Sequence, residues 1–142
     1  MTSIMNKNIQ LPWIEKYRPN GTEQILLDDM LLEKINKIIE SKSIPNMILT
    51  GEPGTGKTST VLIIAREIFK NDYNENVLEL NASDDRGLSI INNTIIPFCQ
   101  KITKAQEKLI ILDEADSITN KAQNLLSNLI NEFKKNCRFV FV

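Results

Sequence analysis

The sequence has 142 residues, with 17 Lys+Arg against 18 Asp+Glu, 42% apolar residues, two Cys and no His. This length describes one domain at most, and the lack of histidine excludes Ser-His-Asp triads, histidine acid–base chemistry and His-containing zinc sites. A net charge of −1 gives no global attraction to nucleic acid, so DNA contact has to come from a local patch or from partner subunits.

In chain order, the amino terminus MTSIMNKNIQLPW carries no apolar h-region, and no segment approaches 18 apolar residues, which predicts an intracellular protein with no membrane partner. Residues 1–22, broken by Pro12, Pro19 and Gly21, read as an irregular arm around Trp13 and Tyr17. Asp28 or Asp29 caps a helix over about 30–42, where Leu31, Leu32, Ile35, Ile38 and Ile39 recur at helical spacing. The run Met47-Ile48-Leu49-Thr50 predicts a strand ending at Gly51, followed by a helix from Lys57 to Phe69.

Residues 71–76 read as polar turn and Val77–Asn81 as a second strand. A helical stretch over about 87–103 contains Pro97, which predicts a kink or a new first turn there. Leu109–Asp113 is a continuous apolar run of the kind buried on both faces of a parallel sheet. Thr119 or Asn120 then caps a helix through about Phe133, and residues 138–142 form a fourth strand. Cys99 and Cys137 are far apart and outside any C-x-x-C pair, so they read as reduced packing thiols. Strands alternating with helices predict a three-layer α/β domain with a parallel sheet.

Between the first strand and its helix, Gly51-Glu52-Pro53-Gly54-Thr55-Gly56-Lys57-Thr58 fits G-x-x-x-x-G-K-[ST] in full. Its glycines let backbone N–H groups converge on phosphate oxygens at a helix N-terminus. Lys57 is then expected on the β- and γ-phosphates and Thr58 on Mg²⁺. Asp113-Glu114 follows the apolar third strand, at the end where parallel sheets place their ligands. Asp113 is expected in the Mg²⁺ shell, with Glu114 as general base on the attacking water. Asp113-Glu114-Ala115-Asp116 also spells a helicase signature, but the short span from Lys57 holds none of the RNA-contacting motifs of that class.

Four segments, in this order, then carry a resemblance. They are Trp13-Ile14-Glu15-Lys16-Tyr17-Arg18-Pro19, the P-loop with Thr58-Ser59-Thr60, Leu80-Asn81-Ala82-Ser83-Asp84-Asp85-Arg86-Gly87, and Leu112-Asp113-Glu114-Ala115-Asp116. The chain resembles the amino-terminal part of a replication factor C small subunit, an AAA+ ATPase, over residues 11–142. The resemblance implies a P-loop AAA+ fold and an ATP-driven machine that opens a sliding clamp and loads it on primer–template DNA. It implies partners in a hetero- or homo-oligomeric ring, the clamp itself, and DNA held through phosphates.

Residue by residue, it implies that Tyr17, Arg18 and Pro19 pass near the adenine and that residues Gly51 to Ser59 hold the nucleotide. Asn81 is implied as a partner that restrains Glu114 until DNA binds. Arg86 is implied as a phosphate contact, against the simpler reading of a local brace. Lys101, Lys104 and Lys108 read as a basic stripe or as an ordinary solvated face. Ile95, Ile96 and Phe98 read as a clamp contact or as core.

Two departures stand out. Ser127-Asn128 occupies the place where such subunits usually carry an arginine pair. The fifth strand, the Ser-Arg-Cys arginine finger, the helical lid and the collar do not occur within the 142 residues. Residues 1–22 are therefore expected to form a nucleotide-contacting arm and 23–142 a partial AAA+ domain. In the sheet order 5-1-4-3-2 of related proteins, the P-loop strand then lies at an edge. The alternatives are another AAA+ ATPase of DNA metabolism, of branch-migration or fork-protection type, and a truncated, non-hydrolysing assembly subunit. Location follows the source: the nucleus in a eukaryote, the cytoplasm or a replication factory otherwise.

Overall fold

A computed structural model describes residues 27–84 and 87–142. The arm with Trp13, Tyr17, Arg18 and Pro19, and the loop residue Arg86, lie outside the described residues.

The chain opens with α1 (Asp29–Ser41), whose N-cap is Asp28; its carboxylate accepts from Leu31 N at 2.8 Å. β1 (Met47–Ile48) is shorter than the apolar run around it. Helix α2 (Lys57–Phe69) starts at the predicted residue. The next segment was expected to be turn but is helical, a 3₁₀ turn (Lys70–Asp72) running into α3 (Tyr73–Asn76). The physical reason is a side-chain link: buried Asn76 donates through Nδ2 to the Asp72 carbonyl at 2.9 Å, one helical turn back.

Strand β2 (Val77–Asn81) leads to a composite helix: α4 (Leu88–Ile90), a π turn (Ile91–Ile95) and α5 (Ile96–Gln100). Pro97 sits in the first turn of α5. There the helix needs no N–H from it, so the predicted restart takes the form of a π turn rather than a break. β3 (Lys108–Asp113), a 3₁₀ turn (Ala115–Ser117), α6 (Asn120–Glu132) and β4 (Cys137–Phe141) complete the described chain. Thr119 caps α6 by accepting from Ala122 N.

The four strands are parallel, in the order β1-β4-β3-β2. Among the described residues β1 is an edge strand, as the sequence led one to expect, and Ile48 on it is 75% exposed. Alternate residues of β3 feed two cores, one on each face of the sheet. Leu109 and Ile111 pack with Ile35, Val61, Leu62, Ile64, Ala65 and Val140 under α1 and α2. Ile110 and Leu112 pack with Ile91, Ile95, Leu126, Leu129 and Phe139 under the composite helix and α6. The result is three layers, helix on sheet on helix, with the carboxyl ends of β1, β3 and β4 aligned at one rim.

Burial decides between the readings left open for two groups of residues. Ile95 is fully buried in the second core, so it is not available as a clamp contact, while Ile96 and Phe98 are half-buried at the margin of that core. Lys108 is buried and not part of a basic stripe; Lys101 and Lys104 are exposed in the loop before it. The helix end explains the burial of Lys108, because its ammonium finds the carbonyls of Phe98 and Cys99 at 2.7 Å each.

Candidate nucleotide site

The P-loop joins β1 to α2 across the sheet rim. Gly56, the N-cap of α2, has φ +85°, and Gly54 has φ +78°, a region that L side chains enter at a cost and glycine does not. Thr55 Oγ1 donates to Glu52 O at 2.8 Å and closes the loop on itself. Thr60 holds its C-terminal side, donating through both N and Oγ1 to Gly56 O at 2.9 and 2.7 Å. The first turn of α2 contains no acidic residue, so its positive end faces the loop undiminished.

Lys57 folds back over this loop. Its ammonium donates to Gly51 O at 2.7 Å and Glu52 O at 2.8 Å. Those bonds hold the lysine at the site where phosphate oxygens are expected, and both are of a kind that an anionic acceptor replaces with a stronger one. Thr58 Oγ1 donates to Asp113 Oδ2 at 3.1 Å. The hydroxyl of the P-loop and the carboxylate at the end of β3 thus share one place.

Neighbouring strands fix Asp113. Asn81 is its lateral partner on β2, Ala82 N donates to its carbonyl at 2.8 Å, and its Oδ1 accepts from Glu114 N at 2.9 Å. Glu114 itself is left-handed, at φ +53° and ψ +44°, a conformation that costs a non-glycine residue about 1–3 kcal/mol. It is held there by bonds on both sides. Ser117 donates to its carbonyl through N and Oγ at 3.0 and 2.8 Å, and Ala115 N donates to Val142 O at 3.0 Å. The reversal leaves the Glu114 side chain exposed toward the P-loop cleft, whose lining it joins.

That cleft has a volume of about 930 Å³ and runs from the P-loop past Asp113 and Glu114 to the Gln123, Ser127 and Ile130 side of α6. The spacing of Gln123 and Ser127, four residues apart on one helix face, is the signal that places them together there. Asn81 reaches the rim as expected, and its Oδ1 accepts from Ser83 N and Oγ at 2.9 and 2.7 Å. Ser83 as that partner was not foreseen, although a serine two residues after an asparagine is an Asx-turn pattern. Lys101 and Lys104 lie on the loop after α5 and do not line the cleft.

The donor set suits magnesium held with a phosphate. Among the described residues no cluster of three or more His, Cys, Asp or Glu can hold a metal unaided. Mg²⁺ commonly takes one or two protein oxygens and fills the rest of its shell with phosphate and water. One hydroxyl and one carboxylate already 3.1 Å apart are such a pair.

A family model described as "ATPase family associated with various cellular activities (AAA)" matches residues 47–142. The chain is 45% identical over 131 residues to replication factor C subunit 3 of Saccharomyces cerevisiae, covering 91% of this chain and 38% of that protein. It is 45% identical over 135 residues to replication factor C subunit 5 of Homo sapiens, covering 93% and 40%. It is also 42% identical to a replication factor C small subunit of Acanthamoeba polyphaga mimivirus, covering 92% and 41%. The chain thus spans about two fifths of the length of these relatives. Among solved structures, a Thermotoga maritima RuvB variant aligns with a TM-score of 0.65 at 20% identity, covering 87% of this chain and 41% of that one. The P-loop NTPase domain of an E. coli sigma-54 activator aligns at 0.52 and 17%, covering 78% and 80%. At those identities the likeness speaks to the fold.

Proposed function

The chain belongs to the AAA family of ATPases, and from that premise we propose that it is the nucleotide-binding part of a clamp-loader small subunit. Such a subunit hydrolyses ATP within a ring of related subunits that opens a sliding clamp and places it on primer–template DNA. The observation that carries the reading is the bond from Thr58 to Asp113, which joins the P-loop to the acidic end of β3 with Glu114 next in the chain. The similarity to replication factor C subunits supports the choice of machine.

Each side chain then has a task. Lys57 exchanges the carbonyls of Gly51 and Glu52 for the β- and γ-phosphates, and the remaining P-loop residues to Ser59 wrap the phosphates with backbone N–H groups. Thr58 and Asp113 are the residues that would hold Mg²⁺, which when bound would supply positive charge to neutralise the transferring phosphoryl group. Glu114 orients a water and takes its proton. Asn81, the register partner of Asp113, is assigned to restrain Glu114 until DNA arrives. Tyr17, Arg18 and Pro19 are assigned to the adenine. Arg86, Lys101 and Lys104 are assigned to DNA phosphates, where their contribution weakens with salt and ignores sequence. A eukaryotic source puts the assembly in the nucleus, and a viral or archaeal one in the cytoplasm or a replication factory.

The test is reconstitution. The protein is co-expressed with the other subunits of a replication factor C assembly, and ATP turnover is followed with and without clamp and primed DNA. Co-purification, with turnover that rises on adding clamp and primed DNA and falls with Glu114→Gln, supports the reading. Failure to enter the ring contradicts the clamp-loader role, and entry with turnover insensitive to Glu114→Gln contradicts the enzymatic one.

A further inference from the structure

The turn that follows β3 fixes Glu114 by its main chain. In a continued strand Glu114 would face the side of the sheet opposite Asp113, because successive side chains alternate. Its left-handed backbone, at φ +53°, ends that alternation, and the Glu114 side chain joins the cleft lining that Lys57, Thr58 and Asp113 share. A non-glycine residue enters this region at a cost, so other bonds have to keep it there.

Those bonds can be traced atom by atom. On one flank Val142 braces the turn, donating through N to Leu112 O at 2.9 Å and accepting at O from Ala115 N at 3.0 Å. On the other, Ile118 donates through N to Ala115 O at 3.1 Å and packs its side chain against the second core. Between these fixed points, and among the described residues, two side chains bond the Glu114 main chain. The Asp113 carboxylate accepts from its N–H at 2.9 Å, and the Ser117 hydroxyl donates to its carbonyl at 2.8 Å. The Ser117 N–H reaches the same carbonyl at 3.0 Å, so both lone pairs of that oxygen are used. Asp113 is shared with Thr58. The Ser117 hydroxyl has Glu114 as its one partner among the described residues, and Ser117 does not line the cleft.

We infer that Ser117 is a positioning residue for ATP hydrolysis: its hydroxyl holds the Glu114 main chain in the left-handed state and so sets where the Glu114 carboxylate stands against the attacking water. This rests on the reading of Glu114 as general base. Ser117 touches no reacting atom and acts through the peptide it bonds. A general base has to lie within hydrogen-bond reach of the proton it takes, and a small displacement of such a group costs rate while leaving the phosphate contacts of Lys57 and Thr58 in place. Alanine at position 117 removes one of the two bonds at the Glu114 carbonyl and keeps the other. The effect is therefore graded, within the factor of about two to ten that a neutral hydrogen bond is worth.

The test uses the reconstituted ring, supplied with clamp and primed DNA, and counts as this subunit's share the turnover that Glu114→Gln removes. Ser117→Ala is expected to lower the kcat of that share about two- to tenfold, with KM for ATP, ATP affinity of the protein and its melting temperature little changed. Ser117→Thr keeps a hydroxyl and restores kcat, Ser117→Cys, a weaker donor of similar size, falls between, and Ser117→Ala adds nothing to Glu114→Gln. The threonine and cysteine variants decide the matter even where the alanine variant fails to fold. Wild-type kcat in Ser117→Ala or in Ser117→Cys, while Glu114→Gln removes turnover, overturns the inference and leaves the reading of Glu114 standing. A fall in ATP affinity in step with kcat overturns it too, since that is the mark of a hydroxyl serving only the fold. Turnover insensitive to Glu114→Gln overturns both.

Discussion

The Thr58 hydroxyl and the Asp113 carboxylate, 55 positions apart in the chain, meet in a 3.1 Å hydrogen bond. The bond ties the first turn of α2 to the last residue of β3. No other described contact joins the P-loop so directly to the acidic end of the sheet. Its consequences can be measured one residue at a time.

Asp113→Asn keeps the size of the side chain and can still accept from Thr58, but it loses the charge. Affinity for ATP in Mg²⁺ is expected to fall about ten- to hundredfold, with much less change in EDTA. Isothermal titration in the two buffers checks this, with the melting temperature confirming that the fold is kept.

Glu114 occupies a left-handed backbone conformation that glycine adopts freely. Glu114→Gly is therefore expected to raise stability by about 1 kcal/mol while lowering turnover in the assembled ring by two orders of magnitude or more, roughly the contribution of a general base. Glu114→Gln, which keeps the strain, lowers turnover without the gain in stability. Urea melts beside turnover assays separate the two effects.

Lys108 satisfies three carbonyls at the end of α5 with one buried ammonium. Lys108→Met fills the space but leaves those acceptors unpaired, and it is expected to cost about 2–4 kcal/mol in denaturant unfolding. Lys101→Met and Lys104→Met, at exposed positions in the next loop, are expected to change stability by less than about 0.5 kcal/mol.

Tyr73 lies partly buried with its hydroxyl on the Glu79 carboxylate, and burial, reinforced by that carboxylate, raises its pKa above the ordinary value of 10.0. A folded-state pKa above the unfolded one contributes stability that is complete below the unfolded value and is lost as pH rises toward the folded one. Stability should therefore fall more steeply above pH 10.0 in the wild type than in Tyr73→Phe. Parallel urea melts across that range provide the comparison.

Much of this arrangement was legible in the residues. The P-loop spells its own geometry, since only a strand before it and a helix after it make the glycines and Lys57 useful, and α2 begins at Lys57 as expected. The apolar run ending in Asp113 announced a strand buried on both faces. Local pattern failed where tertiary partners decide. Residues 70–76 look like turn because their polarity hides the Asn76 link to Asp72. Lys108 looks like surface because no sequence pattern reveals the helix end that receives its ammonium. The left-handed Glu114 depends on how the ends of neighbouring strands meet, which a single sequence does not display.

ATP binding by the protein itself is the most direct measurement of whether this cleft is a nucleotide site. A fluorescent ATP analogue is titrated into wild type and Lys57→Ala, with Mg²⁺ and with EDTA. Saturable binding that weakens tenfold or more in Lys57→Ala, and that weakens on chelation, is the predicted result. Binding equal in wild type and Lys57→Ala, and indifferent to Mg²⁺, would place the nucleotide elsewhere and contradict the roles given to Lys57, Thr58 and Asp113.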